Sequence, residues 1–176
     1  MSSERRLLAS AMAGSILAAI IIEAILFVVI LRGLEYLFTP HILPGLTSLL
    51  VIAGYVYTKL LRSAKYSRPT VRVAGLLGAV VAGLGVAVGV LGRPYLGAWL
   101  IIAAYYGELV LGFRLRRDLE EHVNRGVNAF IGGMLVFILS LPLAVVDHRL
   151  AVIPFIGNLV KTLGLIQVYR ELSSRG

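Results

Sequence analysis

Residues 7–31 read LLASAMAGSILAAIIIEAILFVVIL, an apolar run interrupted by one charged side chain, that of Glu23. A helix of about 20 apolar residues crosses the roughly 30 Å of hydrocarbon in a bilayer. The apolar core of a cleavable signal peptide is shorter, at about 7–15 residues. We therefore expect residues 7–31 to remain in the protein as its first transmembrane helix.

Five further apolar segments follow, at 43–61, 72–91, 95–113, 127–146 and 150–168. The two closest pairs are separated by turn-forming residues, Gly92-Arg93-Pro94 and Asp147-His148-Arg149, which favour hairpins. Backbone groups in lipid must be satisfied within their own segment, so these runs are expected to be helices. The predicted fold class is an all-α integral membrane protein, a six-helix transmembrane bundle of three helical hairpins, with residues 1–176 as a single transmembrane domain.

The composition also indicates a membrane protein. Apolar residues make up 59% of the chain and charged residues 15%, against about 25% charged residues in soluble domains. A soluble core of this size cannot bury so much apolar side chain. The chain has no cysteine, which excludes disulfides and thiolate metal sites.

The distribution of basic residues predicts the orientation in the membrane. With a cytoplasmic N-terminus, thirteen of the 17 basic residues fall inside, three outside and one within the last span, which is a positive-inside bias. The inner residues are Arg5, Arg6, Lys59, Arg62, Lys65, Arg68, Arg72, Arg114, Arg116, Arg117, Arg125, Arg170 and Arg175, and the outer ones are Arg32, Arg93 and Arg149. We expect a multi-pass protein of the cell membrane with both termini in the cytoplasm.

The net charge of +8 is explained by the same distribution. Basic residues on the cytoplasmic face are expected to contact anionic lipid heads, at about 1 kcal/mol per residue. The lipid bilayer is therefore the predicted partner of this surface, and no nucleic acid is expected.

Residues 114–125 form the extended hydrophilic stretch of the sequence. Opposite charges lie four residues apart in it, and residues at that spacing share a helix face. The pairs are Arg114 with Asp118, Arg116 with Glu120, Arg117 with Glu121, and Glu121 with Arg125. We expect span four to continue into the cytoplasm as a short charged helix over 114–125; the alternative is a docking site for a partner.

Glu108 in span four and Lys161 in span six are predicted to share a depth, each roughly 10 Å from the inner boundary at about 1.5 Å per helical residue. A charge in the bilayer costs at least ~2.5–3.5 kcal/mol, so such residues pair or face water. We expect an ion pair between them. It is either a buried tether between two spans or part of a gate or proton-linked switch.

Glu23 has no basic residue at its depth in the other spans and is the first candidate for a functional site. Burial favours the neutral form of a carboxyl group, so we expect Glu23 to be protonated or to face a water-filled cavity that binds a cation or a substrate amine. Asn158, Tyr55 and Tyr105 are further binding or ion-path candidates. The tyrosines are alternatively interface anchors or packing residues.

Glycines in span three predict close helix packing. Gly85 and Gly89 form a GxxxG pattern, and Gly78 belongs to a second row of small residues. Small residues let helix backbones approach closely in lipid. We expect span three to be a central packing helix, with a dimer face as the alternative. In span six, Pro154 predicts a broken start at 153–158.

Motifs of enzymes and metal sites are largely missing from the sequence. One set of side chains offers metal ligands, Asp118, Glu120, Glu121 and His122, but their interleaving with arginines favours a salt-bridged helix. His41, His122 and His148 fall in predicted loops, and no nucleophile, zinc or phosphate-binding motif accompanies them. We expect no catalytic residue, no metal and no cofactor.

Ala9-x-x-x-Ala13 near the start of span one, with six spans and cytoplasmic termini, resembles the substrate-binding subunits of energy-coupling-factor vitamin transporters. In that family such alanines dock on the transmembrane coupling subunit, so the resemblance implies a membrane partner that contacts Ala9 and Ala13. The outer loops of this chain are too short to form the usual substrate lid of that family.

Two hypotheses for the function stay open. The first is a small transporter or channel subunit for an ion or small solute, with Glu23, Glu108 and Lys161 along the path. The second is a non-transporting scaffold or an accessory subunit of a larger complex, which assembles with a membrane partner or as a homo-oligomer. A polar cavity that reaches Glu23 from solvent would favour the first. A membrane enzyme ranks third.

Overall fold

A computed structural model of the chain describes residues 3–62, 69–118 and 124–174. The described residues form six α-helices and two short 3₁₀ helices, without a β-strand. The α-helices are α1 (Ser3–Arg32), α2 (Leu43–Arg62), α3 (Pro69–Val90), α4 (Pro94–Asp118), α5 (Asn124–Val146) and α6 (Val152–Ser174), and the 3₁₀ helices are η1 (Leu34–Phe38) and η2 (His148–Ala151). The predicted all-α class is confirmed, and each predicted segment is helical.

Several helices are able to cross a membrane. In the described part of the chain, five have the necessary length and apolar character, namely α1, α2, α3, α5 and α6. The remaining helix, α4, has 25 residues and packs between α3 and α5. These properties are those of a multi-pass membrane protein.

Successive helices run antiparallel. Gly126, near the start of α5, packs on Val168, near the end of α6. Gly157, near the start of α6, packs on Phe137 in the second half of α5. The same reversal of residue numbers holds along the other neighbouring helices. The start of α1 and the end of α6 therefore share one end of the bundle, here the terminal end, and η1 and η2 lie at the opposite end.

The two ends of the bundle differ in their number of basic residues. Within the described ranges, ten basic residues belong to helix segments near the terminal end and three lie near the opposite end. The ten are Arg5, Arg6, Lys59, Arg62, Arg72, Arg114, Arg116, Arg117, Arg125 and Arg170, and the three are Arg32, Arg93 and Arg149. Alternation of helix direction thus collects basic residues at one end, as the charge pattern of the sequence predicts.

The centre of the bundle is formed by α5 and α6. The apolar stretches of these helices are about 50% buried, whereas those of α2 and α3 are about 11% buried. The expectation that span three is the central packing helix is therefore wrong. Its large side chains, such as Leu76, Leu77 and Val80, are exposed, because apolar surface at the edge of a membrane bundle is covered by lipid.

Glycines bring α5 and α6 into backbone contact. Gly126 and Gly133 on α5, and Gly157 and Gly164 on α6, are spaced seven residues apart in each helix, which is about two turns and so one face. A Cβ added to Gly133 or Gly164 would overlap the backbone of the facing helix. We did not expect this interface, although its seven-residue spacing is visible in the sequence.

The predicted packing glycines of span three contact α4. Gly85 and Gly89 both lie against Gly97, and Gly78 approaches the backbone of α4. Because this row is already packed within the chain, it is not free to form the dimer face that was the alternative.

Two expectations about chain interruptions have different outcomes. The predicted break at 153–158 is wrong, since α6 is continuous from Val152 and Pro154 lies in its first turn, where a backbone N–H has no partner within the helix. The charged segment 114–125 is described only in part: α4 reaches Asp118, α5 begins at Asn124, and residues 119–123 lie outside the described residues. Its ion pairs stay predictions.

We expect Gly133→Ala to lower the free energy of unfolding by about 1–3 kcal/mol, the usual cost of overpacking, because the new methyl group overlaps the backbone at Lys161. The matched control is Gly132→Ala at the neighbouring position, where nothing lies within 4 Å of an added Cβ. Equilibrium unfolding in detergent micelles measures both variants. Equal stability of the two would contradict the close contact of α5 with α6.

Candidate functional site

Helix α6 presents two polar side chains to the interior of the bundle. Asn158 has no exposed surface and Lys161 is 2% exposed. They are three residues apart, so they lie on the same face of the helix, one above the other. Buried polar groups of this kind must find partners on neighbouring helices, because hydrocarbon supplies none.

Lys161 is paired with Glu108 of α4. Its Nζ atom lies 2.8 Å from Glu108 Oε1 and 3.1 Å from Oε2. The same ammonium group lies 4.9 Å from the centroid of the Phe137 ring of α5, a cation–π distance. The ion pair that the sequence predicts is thus present. Its side chains differ in exposure, at 3% for Lys161 and 29% for Glu108.

Asn158 is bonded to α1. Its Nδ2 atom donates to the side chain of Glu23, at 2.9 Å from Oε1, and to the backbone carbonyl of Ala19 at 3.0 Å. Sequence reasoning named both side chains as candidates and did not pair them. The sequence offers no charged partner at the depth of Glu23, and the partner in the structure is a neutral amide.

Together, Glu23, Asn158, Lys161 and Glu108 form a polar cluster, which joins α1, α6 and α4 in the interior of the bundle. The Lys161 ammonium group binds the carboxyl group of Glu108 directly and acts on that of Glu23 through space. The structure therefore brings four of the predicted site residues into one connected arrangement, with the two residues of α6 at its centre.

A vestibule of about 400 Å³ opens near the end of the bundle opposite the termini. Its polar lining consists of Arg32, Glu35, Tyr95, Asp147 and His148. Two local features of the backbone, a turn and a helix cap, position these groups. The turn at Gly33, with a φ of 89°, lets the chain leave α1 sharply into η1. The Asp147 side chain accepts a hydrogen bond from the backbone N–H of Arg149 and caps η2.

A second, apolar cavity of about 80 Å³ lies next to the vestibule, on the side of the bundle interior. The two cavities share three lining residues, Leu34, Ala144 and Val145, so these side chains stand between them. Tyr105 and Phe137 also line the apolar cavity, and their rings pack edge to face with centroids 5.2 Å apart. Phe137 of this aromatic pair thus contacts both the apolar cavity and the Lys161 ammonium group of the polar cluster.

The structure places the remaining predicted site residues in different surroundings. Tyr105 lies beside the polar cluster, whereas Tyr55 is 45% exposed on α2, with its ring beneath Lys59. Glu23 lines neither of the two cavities. Among the described residues, no three His, Cys, Asp or Glu side chains are grouped as metal ligands. The vestibule was not foreseen, since its residues come from three separate connections of the chain.

Comparisons of the chain with protein-family models, with curated proteins and with solved structures find no match. The resemblance to vitamin-transporter subunits is not supported by these comparisons. Its motif is also split by the packing, because Ala9 is buried inside the chain while Ala13 is exposed. The two alanines therefore do not form one free docking face.

We expect the Lys161–Glu108 pair to respond asymmetrically to mutation. Glu108→Gln should cost about 3–5 kcal/mol of unfolding free energy, because it leaves a buried ammonium group unpaired. Lys161→Met should cost less, since the Glu108 carboxylate is partly exposed. The double variant should be close in stability to Lys161→Met alone. Equilibrium unfolding in detergent micelles measures the stability of the wild type, both single variants and the double variant. If the loss of stability in the double variant equals the sum of the two single losses, a direct interaction between Lys161 and Glu108 is contradicted.

Proposed function

We propose that the chain crosses the cell membrane six times with both termini in the cytoplasm. Five helices able to cross, antiparallel packing of all six, and the collection of basic residues near the terminal end support this topology. Basic residues are retained on the cytoplasmic side of membrane proteins. The vestibule would then open to the outside.

We propose further that the protein transports an ion or small solute, in a conformation that is closed between the vestibule and the polar cluster. The observation that carries this proposal is the alignment of four features: the charged vestibule, the apolar cavity, the aromatic pair and the polar cluster. Their order is that of a polar entrance, an apolar constriction and a charged site inside the membrane.

The chemistry of each feature suits one step of such a path. Charges of both signs in the vestibule, from Arg32, Glu35 and Asp147, offer partners to a polar solute. Apolar constrictions block permeation by excluding water, which is the role proposed for Leu34 and Val145. Ionisable residues inside membrane helices commonly mark ion pathways or proton relays, the role proposed for the polar cluster.

The second candidate function is an accessory subunit that does not transport. One observation favours it: Glu23 lines neither cavity, and its hydrogen bond comes from within the bundle. In that case the polar cluster would serve to align α1, α4 and α6. The exposed apolar face of α3 would be available to a partner.

The topology is tested by single-cysteine labelling, which is clean because the chain has no cysteine. A membrane-impermeant maleimide should label the Arg93→Cys variant on intact cells. It should label the Ser174→Cys variant only after the membrane is permeabilised. The reverse pattern would overturn the proposed orientation, and labelling of both variants on intact cells would overturn the three crossings proposed between the two positions.

Transport is tested in proteoliposomes that carry a pH-sensitive dye inside and a defined potassium diffusion potential. We expect uptake of protons above that of empty liposomes, and a loss of at least about tenfold in Glu23→Gln and in Glu108→Gln, because each removes a titratable carboxyl group from the path. Glu171→Gln is the matched control, since this carboxyl group lies near the end of α6, outside both cavities. Wild-type uptake equal to that of empty liposomes would favour the accessory subunit.

A further inference from the structure

The contact between Glu23 and Asn158 leaves two buried oxygen atoms without a partner. Glu23 Oε2 and Asn158 Oδ1 are both buried, and neither makes a hydrogen bond. An unsatisfied buried acceptor costs roughly 1–3 kcal/mol, and native interiors rarely tolerate one. Two such atoms on side chains that already touch each other therefore need a hydrogen-bond donor.

The orientation of the Asn158 amide is set by its other bond. Nδ2 donates to the carbonyl of Ala19 as well as to Glu23 Oε1, and a carbonyl oxygen can only accept. Exchange of the amide nitrogen and oxygen would place two acceptors against each other at Ala19. Oδ1 is thus an acceptor that needs a donor. While the Glu23 carboxyl group is ionised, its Oε2 atom can accept a hydrogen bond but cannot donate one.

We propose that Glu23 and Asn158 form a proton-binding site, in which Glu23 is a neutral carboxylic acid whose Oε2–H donates to Asn158 Oδ1. One proton converts Oε2 from an acceptor into a donor and satisfies both unpaired atoms. The two side chains then share two hydrogen bonds, one from the amide N–H to Oε1 and one from the acid O–H to Oδ1. No other atom is required.

The positive charge nearest in effect to Glu23 is already bound to another carboxylate. On α6, Lys161 is the basic group that acts on Glu23 through space, but it is already bound at 2.8 Å to Glu108 of α4. A second carboxylate would have to share this ammonium group, and an unpaired buried charge is more costly than a hydrogen-bonded neutral group.

The other elements packed on α1 bring no described charge to the depth of Glu23. Gly45 of α2 faces Ile21 and Ile25, which flank Glu23 along the helix. The titratable groups of α2 lie farther towards the terminal end; Tyr55, for example, faces Gly14. Those of η1 and η2, namely Glu35, Tyr36, His148 and Arg149, lie beyond the far end of α1.

A sodium ion is the competing ligand for the same oxygens. Hard metal ions take several oxygen ligands, typically six or more for Ca²⁺ and Mg²⁺. The contact offers two unpaired ones, Glu23 Oε2 and Asn158 Oδ1. A proton needs only these two, which is why we assign the site to a proton.

Release of this proton would place Lys161 between two carboxylates, with Glu23 on one side and Glu108 on the other. The ammonium group would then be drawn from Glu108 towards Glu23. This coupling of the proton to a rearrangement rests on the proposed transport function, whereas the proton site itself does not.

The test is infrared difference spectroscopy of the purified protein in lipid at pH 7. We expect the C=O stretch of a protonated carboxyl group that shifts in D₂O, that is absent in Glu23→Gln, and that persists in Glu171→Gln, which removes the other described carboxyl group with a buried unpaired oxygen. Asn158→Leu, which keeps the volume but removes the amide, should move this band to higher frequency, because the acid loses its partner.

Three outcomes overturn the assignment. They are the absence of a protonated carboxyl band in the wild type, a band that persists in Glu23→Gln, and a band that appears only when Na⁺ is replaced by N-methylglucamine, which would identify a sodium site. A band that behaves as expected in a protein without proteoliposome uptake would leave the proton site in place and overturn transport alone.

Discussion

The contact of the Gly133 backbone with α6 at Lys161 is the interaction on which the rest of the structure depends. In lipid, apolar surface gains nothing by leaving one hydrocarbon environment for another, so helices associate through close packing and polar bonds. Glycines at seven-residue spacing allow α5 and α6 to approach to backbone contact. That approach sets Phe137 of α5 over the Lys161 ammonium group, and so fixes where the charge of α6 sits relative to the apolar cavity.

From this pair of helices, polar bonds extend outwards to the rest of the bundle. Lys161 binds α4 through Glu108, and Asn158 binds α1 through Glu23. The two kinds of interaction have different effects. Glycine contacts set the distances between helices, and polar bonds set the rotation and register of the helices. By contrast, the described contacts of α3 with α4 are made through small residues such as Gly85 and Gly97.

Much of this arrangement is readable in the sequence, for reasons that are physical. Apolar length predicts every helix to within a few residues, since the hydrocarbon thickness leaves little choice. Counting residues from the span ends predicts that Glu108 and Lys161 meet, because a straight helix converts residue number into depth. The pairing of Glu23 with Asn158 does not follow from such counting. An amide carries no charge, and only the rotation of α1 and α6 about their axes decides that these side chains face each other.

The sequence also does not predict the position of α3 in the bundle or the two cavities. A glycine row indicates that a helix has a close neighbour, but not whether that neighbour lies on one side or all around. Gly85 and Gly89 therefore suit an edge helix as well as a central one. The vestibule depends on how three connections, near Gly33, Tyr95 and Asp147, come together over the ends of α1, α4 and α5. No local pattern encodes such an assembly.

The seven-residue glycine spacing has a consequence for movement. With so little side-chain volume between them, α5 and α6 have no freedom to slide or roll past each other without colliding backbones. They therefore move as one rigid hairpin. Its polar connections to α1 and α4 are, in contrast, made by side chains, Asn158 and Lys161, and side-chain bonds can be exchanged one for another. The α5–α6 hairpin is thus rigid, whereas its polar bonds to α1 and α4 can be exchanged. A tilt of this hairpin relative to α1 and α4 is therefore the motion that the packing allows.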